Sequence, residues 1–285
     1  MPVDQQHCRA VFKKLDRELE KITLHSSPER VHKFRTRTRR VETVLAELVP
    51  LPDRRTKKLM KILHRMRRKA GKVRDLDVQM ALLRNLKITR SGREKSQLLR
   101  ELAGERESYE RKLAAAVGED SARELHRRLK RASMNIAIPE NLDPLSVALL
   151  QFSELGRNHS PISQKILHQY RIVGKQSRYL IEMAPKAAEV EPIVNQLRKM
   201  QDVVGDWHDW LTLTERGEKL FGGVKDSALV AAMRNLTRAK FREAINAVSE
   251  TKSFLSAGKP SLGFTRNNSV RKLPVSSAPP ASAAA

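Results

Sequence analysis

The chain has 285 residues, 40% of them hydrophobic, which is enough to bury a sizeable core in one large domain or two medium ones. Its 56 lysines and arginines outnumber 32 aspartates and glutamates, and the net charge of +24 indicates a polyanionic partner that offsets the self-repulsion of a compact fold. A single cysteine, Cys8, excludes intrachain disulfides and thiolate metal clusters, and the longest apolar run is far shorter than the ~20 residues that span a bilayer.

Apolar residues recur at helical spacing along almost the whole chain, and no alternating run of β-branched residues is present. The sequence therefore predicts an all-α fold. In the first half the predicted helices cover 3–24, 28–49, 53–86 (with a break near Gly71), 93–117 and 120–133. In the second half they cover 145–157, 162–184, 189–204, 206–221 and 225–255.

Proline and glycine positions indicate how these helices are grouped. Two prolines mark residues 136–144 as a linker between two halves, 1–135 and 145–256, of one helical domain over 1–256. The tail 257–285 consists mainly of glycine, serine, proline and alanine, so we predict that it is disordered. The N-terminus lacks a basic region followed by an apolar stretch, so we expect no signal peptide and a cytoplasmic protein.

Two of the predicted helices, one in each half, carry the same basic stripe. The first stripe is His32, Arg35, Arg39 and Arg40, and the second is His168, Arg171, Lys175 and Arg178. In each helix the histidine and the cations follow an apolar seam by one position, a rotation of about 100°, so they flank the packing face. The first seam is Val31, Phe34, Thr38, Val41, Leu45 and Leu48, and the second is Leu167, Tyr170, Gly174, Ser177, Ile181 and Ala184.

Side chains in this position can bury their stems while their charged ends face a groove between helices. Arginine offers a planar fork of donors to phosphate oxygens, lysine adds a mobile point charge, and histidine donates N–H groups. Close cations should lower the pKa of a neighbouring histidine, and a bound phosphate should raise it. Because the stripe occurs twice, we predict a built anion-binding site in place of an ordinary solvated face.

A second motif repeats in the same order. Gly71 and Asp75 match Gly205 and Asp209 at one constant offset, so each half is predicted to hold a stripe helix, a helix that ends near glycine, and an acidic cap. We interpret Asp75, Asp77 and Asp209 as helix caps, and orientation of an arginine toward the groove is the alternative.

Further basic rows could complete the rim of the site or could be ordinary surface. Residues 28–75 contain seventeen lysines or arginines and five acidic residues, a net charge of +12, so the charge is concentrated in the first half. The candidate rim residues are Lys58, Lys61, Arg65, Arg68, Arg123, Arg127, Arg234 and Arg238.

These motifs resemble the CHAD family, the conserved histidine α-helical domain. The segments HKFRTRTRR and HQYRIVGKQSRYLIE resemble its two His-x-x-Arg helices, and GKVRDLDV and MQDVVGDWHDW resemble the motifs that follow them. The resemblance implies two four-helix bundles related by a pseudo-twofold axis, with additional helices, around a basic central groove. It also implies binding of inorganic polyphosphate and association with polyphosphate granules. Glu42 departs from the family pattern, which usually has a basic residue there, so Glu42 is left out of the predicted site.

Two other functions are compatible with the charge. Nucleic-acid binding needs only phosphate contacts, but Trp207 and Trp210 are not interleaved with the stripes and no zinc-finger, homeodomain or RNP signature is present. His208-Asp209 is similar to a dipeptide of metal-dependent phosphohydrolases, but HExxH, a P-loop and G-x-S-x-G are missing. We therefore expect a binding protein without catalytic residues, metal ligands or a cofactor, whose partner is polyphosphate or another polyanion.

Overall fold

The computed structural model describes residues 2–88, 91–139, 141–157, 161–185 and 187–257. Within these ranges the chain forms nine α-helices and no strand, which confirms the all-α prediction. None of the described helices is long and apolar enough to cross a bilayer. The predicted disordered tail lies outside the described residues, except Ala257, which ends the last helix. The helices are α1 (Gln5–Leu24), α2 (Pro28–Glu47), α3 (Arg54–Asn85), α4 (Gly92–Ala116), α5 (Glu119–Asn135), α6 (Pro144–Arg157), α7 (Gln164–Ile181), α8 (Val190–Phe221) and α9 (Ala228–Ala257).

The two halves form two bundles. In the first half α1, α2, α3 and α5 pack together and α4 packs on α3, whereas in the second half α6, α7, α8 and α9 form the bundle. Three helices of the first half have a counterpart in the second half: α2 matches α7, α3 matches α8 and α4 matches α9. The first residues of the two helices are the same number of residues apart in all three pairs. Between the halves α2 contacts α7 and α3 contacts α8. These repeated helices thus meet their own counterparts, which is the pairing expected of a pseudo-twofold axis.

Both predicted seams are buried along their full length. Phe34 and Tyr170 occupy matching places in the seams, and both are fully buried. A serine at the equivalent position caps the start of each stripe helix. The Ser27 hydroxyl accepts a hydrogen bond from the backbone N–H of Arg30, and the Ser163 hydroxyl accepts one from the backbone N–H of Ile166. The seams and the serine caps fix the rotation of α2 and α7, and this rotation decides which groups the stripes face.

The predicted breaks near Gly71 and Gly205 are wrong, because α3 and α8 are continuous helices of 32 residues each. One glycine inside a helix costs only about 1 kcal/mol relative to alanine. The second parts of both helices bury a separate apolar cluster with α4 and α9, which offsets that cost. This cluster takes residues from both halves and contains Leu76, Met80, Leu83, Leu98, Leu102, Trp210, Leu213, Leu229, Val230 and Met233.

Candidate anion-binding site

The contact between α2 and α7 brings the two basic stripes together. Arg35 and Arg39 of the first stripe and Arg171 and Lys175 of the second form what we call the inner cluster. Burial lowers the pKa of Lys175 to about 6, with further lowering by Arg171, Arg39 and Arg35. Burial also lowers the pKa of Arg39, as do the nearby Arg35 and Arg171. The four cations therefore act on one another across the interface between the halves.

His32 and His168, the first residues of the two stripes, adjoin the inner cluster and remain exposed to solvent. Partial burial lowers the pKa of His32, and Arg74, Arg35 and Lys175 lower it further. Partial burial likewise lowers the pKa of His168, with further lowering by His208, Arg171 and Lys175. Lys175 acts on both imidazoles, so the two histidines face one shared basic region. The prediction that close cations lower these pKa values is confirmed.

An aspartate accompanies the first inner arginine of each stripe. Asp75 Oδ1 lies 3.7 Å from a terminal nitrogen of Arg35, and Asp209 Oδ1 lies 3.9 Å from the same atom of Arg171. Both aspartates stand inside continuous helices, so their interpretation as helix caps is wrong. The alternative, a carboxylate that orients an arginine, agrees with these contacts.

Asp77 has a different role from its neighbour Asp75. Its side chain is buried and accepts a hydrogen bond of 2.6 Å from Arg106 Nε on α4. It too lies within α3 and caps no helix. Asp77 therefore joins α3 to α4 and belongs to the scaffold behind the inner cluster.

The inner arginines retain unused hydrogen-bond donors. The Nε atoms of Arg35, Arg39 and Arg171 are buried and have no hydrogen-bond partner among the described residues. A buried donor without an acceptor costs about 1–3 kcal/mol. An anion that entered the cluster would supply acceptors and would also offset the repulsion between the cations.

The outer arginines of the two stripes, Arg40 and Arg178, meet at Glu182. Its two carboxylate oxygens lie 2.9 Å from a terminal nitrogen of Arg40 and 3.2 Å from one of Arg178. The guanidinium groups of both arginines also lie near the ring of Tyr179, at 5.6 and 4.9 Å from its centroid. Arg40 and Arg178 thus link the two halves at the edge of the inner cluster, with a carboxylate already bound between them.

Three residues near the stripes are absent from the predicted anion-binding site, although His208 was noted in the sequence for another reason. Arg67 forms an ion pair with Glu42, Arg74 acts on His32, and the ring of His208 lies 5.4 Å from that of His168 between centroids. The repeat of the glycine motif was a signal for these residues, because it places Arg67 and Gln201, and likewise Arg74 and His208, at equivalent positions of the two halves.

The predicted rim residues lie outside the inner cluster. Lys58, Lys61, Arg65 and Arg68 are exposed along α3, and Lys58 lies close enough to Glu124 on α5 to contribute to the lowering of its pKa. No ion pair or hydrogen bond of the described residues joins this row to the inner cluster. On α5, Arg123 and Arg127 are exposed and form ion pairs with carboxylates of the same helix. On α9, Arg234 forms an ion pair with Glu218, and Arg238 is exposed.

Comparison with known proteins agrees with this architecture. The sequence model of the CHAD domain matches residues 6–218. The crystal structure of the CHAD domain from the plant Ricinus communis superposes with a TM-score of 0.66 at 14% identity, over 87% of this chain and 89% of that one. PptA from Streptomyces chartreusis superposes with a TM-score of 0.66 at 15% identity, over 90% of this chain and 100% of that one. No curated protein sequence matches the chain. Since the family match extends over most of the chain, this protein belongs to the CHAD domain family.

Proposed function

We propose that the inner cluster binds inorganic polyphosphate and that this chain is a binding protein without a catalytic step. The observation that carries the proposal is the convergence of both stripes, which puts Arg35, Arg39, Arg171 and Lys175 within electrostatic range of one another. Polyphosphate is a linear anion with about one charge per phosphate, and a line of such charges suits cations that come from two helices in contact. Some members of the CHAD family bind polyphosphate, which also supports the proposal.

The carboxylates beside the cluster favour binding over catalysis. Asp75 accompanies Arg35, Asp209 accompanies Arg171, and Glu182 lies between Arg40 and Arg178. A carboxylate that acts as a general base must be free to accept a proton from the attacking water. Each of these three carboxylates already contacts an arginine, so their contacts suit the orientation of cations.

The aromatic residues favour polyphosphate over single-stranded nucleic acid. Trp207 and Trp210 are only 1% and 7% exposed, because each belongs to an apolar cluster. Proteins that bind single strands without sequence preference stack successive bases on exposed aromatic rings. Neither tryptophan offers such a surface, whereas a polymer of phosphate alone needs none.

Isothermal titration calorimetry tests the proposal. Long-chain polyphosphate, single-stranded DNA and double-stranded DNA are titrated at equal phosphate concentration and at two salt concentrations, since the salt dependence reports how many ionic contacts form. We expect saturable binding of polyphosphate, and displacement of bound DNA by polyphosphate at far lower phosphate concentration than the reverse. Equal or stronger binding of either DNA would overturn the assignment. Release of phosphate from long-chain polyphosphate, measured with and without Mg²⁺ or Mn²⁺, would contradict the absence of catalysis.

We also propose that the protein associates with polyphosphate granules in the cytoplasm. A polymer stored at high density offers many equivalent sites, so one basic cluster is enough for retention. A fluorescent fusion should colocalise with stained granules, and the same fusion with Arg35→Glu and Arg39→Glu should be diffuse. Retention of that variant on granules would mean that a surface other than the inner cluster mediates the association.

A further inference from the structure

The two halves of the site differ in which cations they use. The repeat of the stripes places Arg39 of the first half and Lys175 of the second at equivalent positions. The repeat of the glycine motif gives a second such pair, Arg74 and His208. Arginine stays charged at every physiological pH, whereas lysine in a buried place and histidine both titrate readily. At the position of Arg39 the first half therefore has a fixed charge, whereas the second half has a titratable one, Lys175.

Lys175 lies in surroundings that oppose its charge. It is half-buried, and no carboxylate of the described residues lies within 4 Å of its ammonium group. The carboxylate of Asp209, which favours the protonated amine, is closer to Arg171, at 3.9 Å. The charged and titratable groups that act on Lys175 or respond to it come from three helices: Arg35, Arg39 and His32 on α2, Arg171 and His168 on α7, and Asp209 on α8.

These surroundings keep most Lys175 side chains neutral when no anion is bound. Burial, followed by the neighbouring cations, lowers the pKa of this amine to about 6. At pH 7 a group with that pKa is protonated in roughly one molecule in ten. A phosphate in the inner cluster would supply negative charge and acceptors, and both favour the ammonium form.

We propose that Lys175 is a protonation-dependent contact, so that polyphosphate binding at neutral pH takes up about one proton on this side chain. The inference rests on the proposed function and deepens it, because it makes the affinity of the site depend on pH. Uptake of about one proton corresponds to an affinity that falls about tenfold for each unit of rising pH. The dependence should hold from pH 7 to pH 8, which lies above the lowered pKa of the Lys175 amine.

Calorimetry in two buffers measures the proton directly. Long-chain polyphosphate is titrated into the full chain at pH 7.5, once in PIPES and once in Tris, whose ionisation enthalpies differ. For about one proton taken up at each bound site, we expect the observed heats to differ by the difference between the ionisation enthalpies of the two buffers. Lys175→Arg, which gives the second half the residue of the first, should bind without proton uptake and should hold its affinity between pH 7 and pH 8. Lys175→Met should also lack the uptake but should bind more weakly at pH 7.

Two further variants show whether the proton goes to Lys175 or to another group. Lys240→Arg changes a lysine whose pKa is raised by hydrogen bonds to Glu243 and Asp206. Polyphosphate binding by this variant should take up as many protons as binding by the unaltered chain. His208→Arg should leave most of the uptake in place. Equal heats in the two buffers, or proton uptake that persists in Lys175→Arg, would overturn the role of Lys175 while polyphosphate binding stands. A lack of saturable binding in either buffer would overturn the proposed function itself.

Discussion

Glu42 on α2 forms an ion pair with Arg67 on α3, at the place where the second half has a different polar pair. There Arg178 and Gln201, which occupy the positions matching Glu42 and Arg67, are joined by a hydrogen bond of 2.9 Å from Arg178 Nε to Gln201 Oε1. The basic member lies on the stripe helix in one half and on the following helix in the other. Glu42 therefore has a local partner that takes up its charge.

Replacing Glu42 by glutamine tests this compensation. Burial raises the pKa of Glu42 and the nearby Arg67 opposes that shift, so the carboxylate is held charged mainly by its partner. We expect Glu42→Gln to free Arg67 and to increase polyphosphate affinity about three- to tenfold, which corresponds to about 1 kcal/mol. Calorimetry measures the change. Glu47→Gln is the matched control, because Glu47 lies on the same helix and its hydrogen bond comes from Gln151. Equal affinities for the two variants would contradict the prediction.

Charge reversal at the stripes tests the inner cluster. Arg35→Glu with Arg39→Glu should lower polyphosphate affinity at least tenfold, about 1.4 kcal/mol, and leave the helical circular dichroism unchanged. Arg171→Glu with Lys175→Glu should cost less, because charge is concentrated in the first half and most Lys175 side chains are neutral at pH 7.

The control changes two exposed lysines, Lys219→Glu with Lys225→Glu, which alters the net charge by the same amount as Arg35→Glu with Arg39→Glu. A control that weakens binding as much as Arg35→Glu with Arg39→Glu would show that net charge, and no particular site, decides affinity. A larger loss for the second-half pair would contradict the unequal contribution of the halves.

The rim residues are distinguished by their partners. Arg123 and Arg127 already pair with carboxylates of their own helix, whereas Arg65 and Arg68 are exposed on the helix that follows the first stripe. We expect Arg65→Gln with Arg68→Gln to reduce the dependence of log affinity on log salt, since each lost phosphate contact lowers that slope by about one. Arg123→Gln with Arg127→Gln should change the slope less. If both pairs leave it unchanged, the rim is ordinary surface.

The stripes and their seams could be predicted from the sequence because they depend on local periodicity. Phe34 and Tyr170 are buried where the spacing put them, and this fixes the direction of the neighbouring cations. The continuity of α3 through Gly71 could not be predicted, because the apolar cluster that favours it combines residues of both halves. Contacts between the two halves, such as that between Glu182 and Arg40, depend on packing that no local pattern specifies.

The pH dependence of folding stability without polyphosphate provides a separate test of Lys175. Burial lowers its pKa in the folded state to about 6, below the ordinary value of 10.5 that applies to the unfolded chain. Between these two values the unfolded state binds more protons, so the cost of burying Lys175 opposes folding less as pH rises. We expect the Tm difference between Lys175→Met and the unaltered chain to be largest at pH 7 and smaller at pH 9, with the variant more stable. Differential scanning calorimetry at both pH values measures it, and a difference that grows with pH would contradict the sign.

Gly205 lies inside α8, where its helical backbone gives no reason for glycine. A Cβ added at this position meets no atom within 4 Å, so alanine fits without rearrangement. Gly205→Ala should stabilise the fold by about 0.5–1 kcal/mol through helix propensity, with polyphosphate affinity unchanged, as measured by urea unfolding and calorimetry. Gly174→Ala is the comparison, because its Cβ would lie 2.5 Å from the methyl carbon of the fully buried Met200 and would force that side chain aside. We expect this variant to be the less stable of the two. A loss of affinity in Gly205→Ala would show instead that the glycine matters for the neighbouring His208 and Asp209.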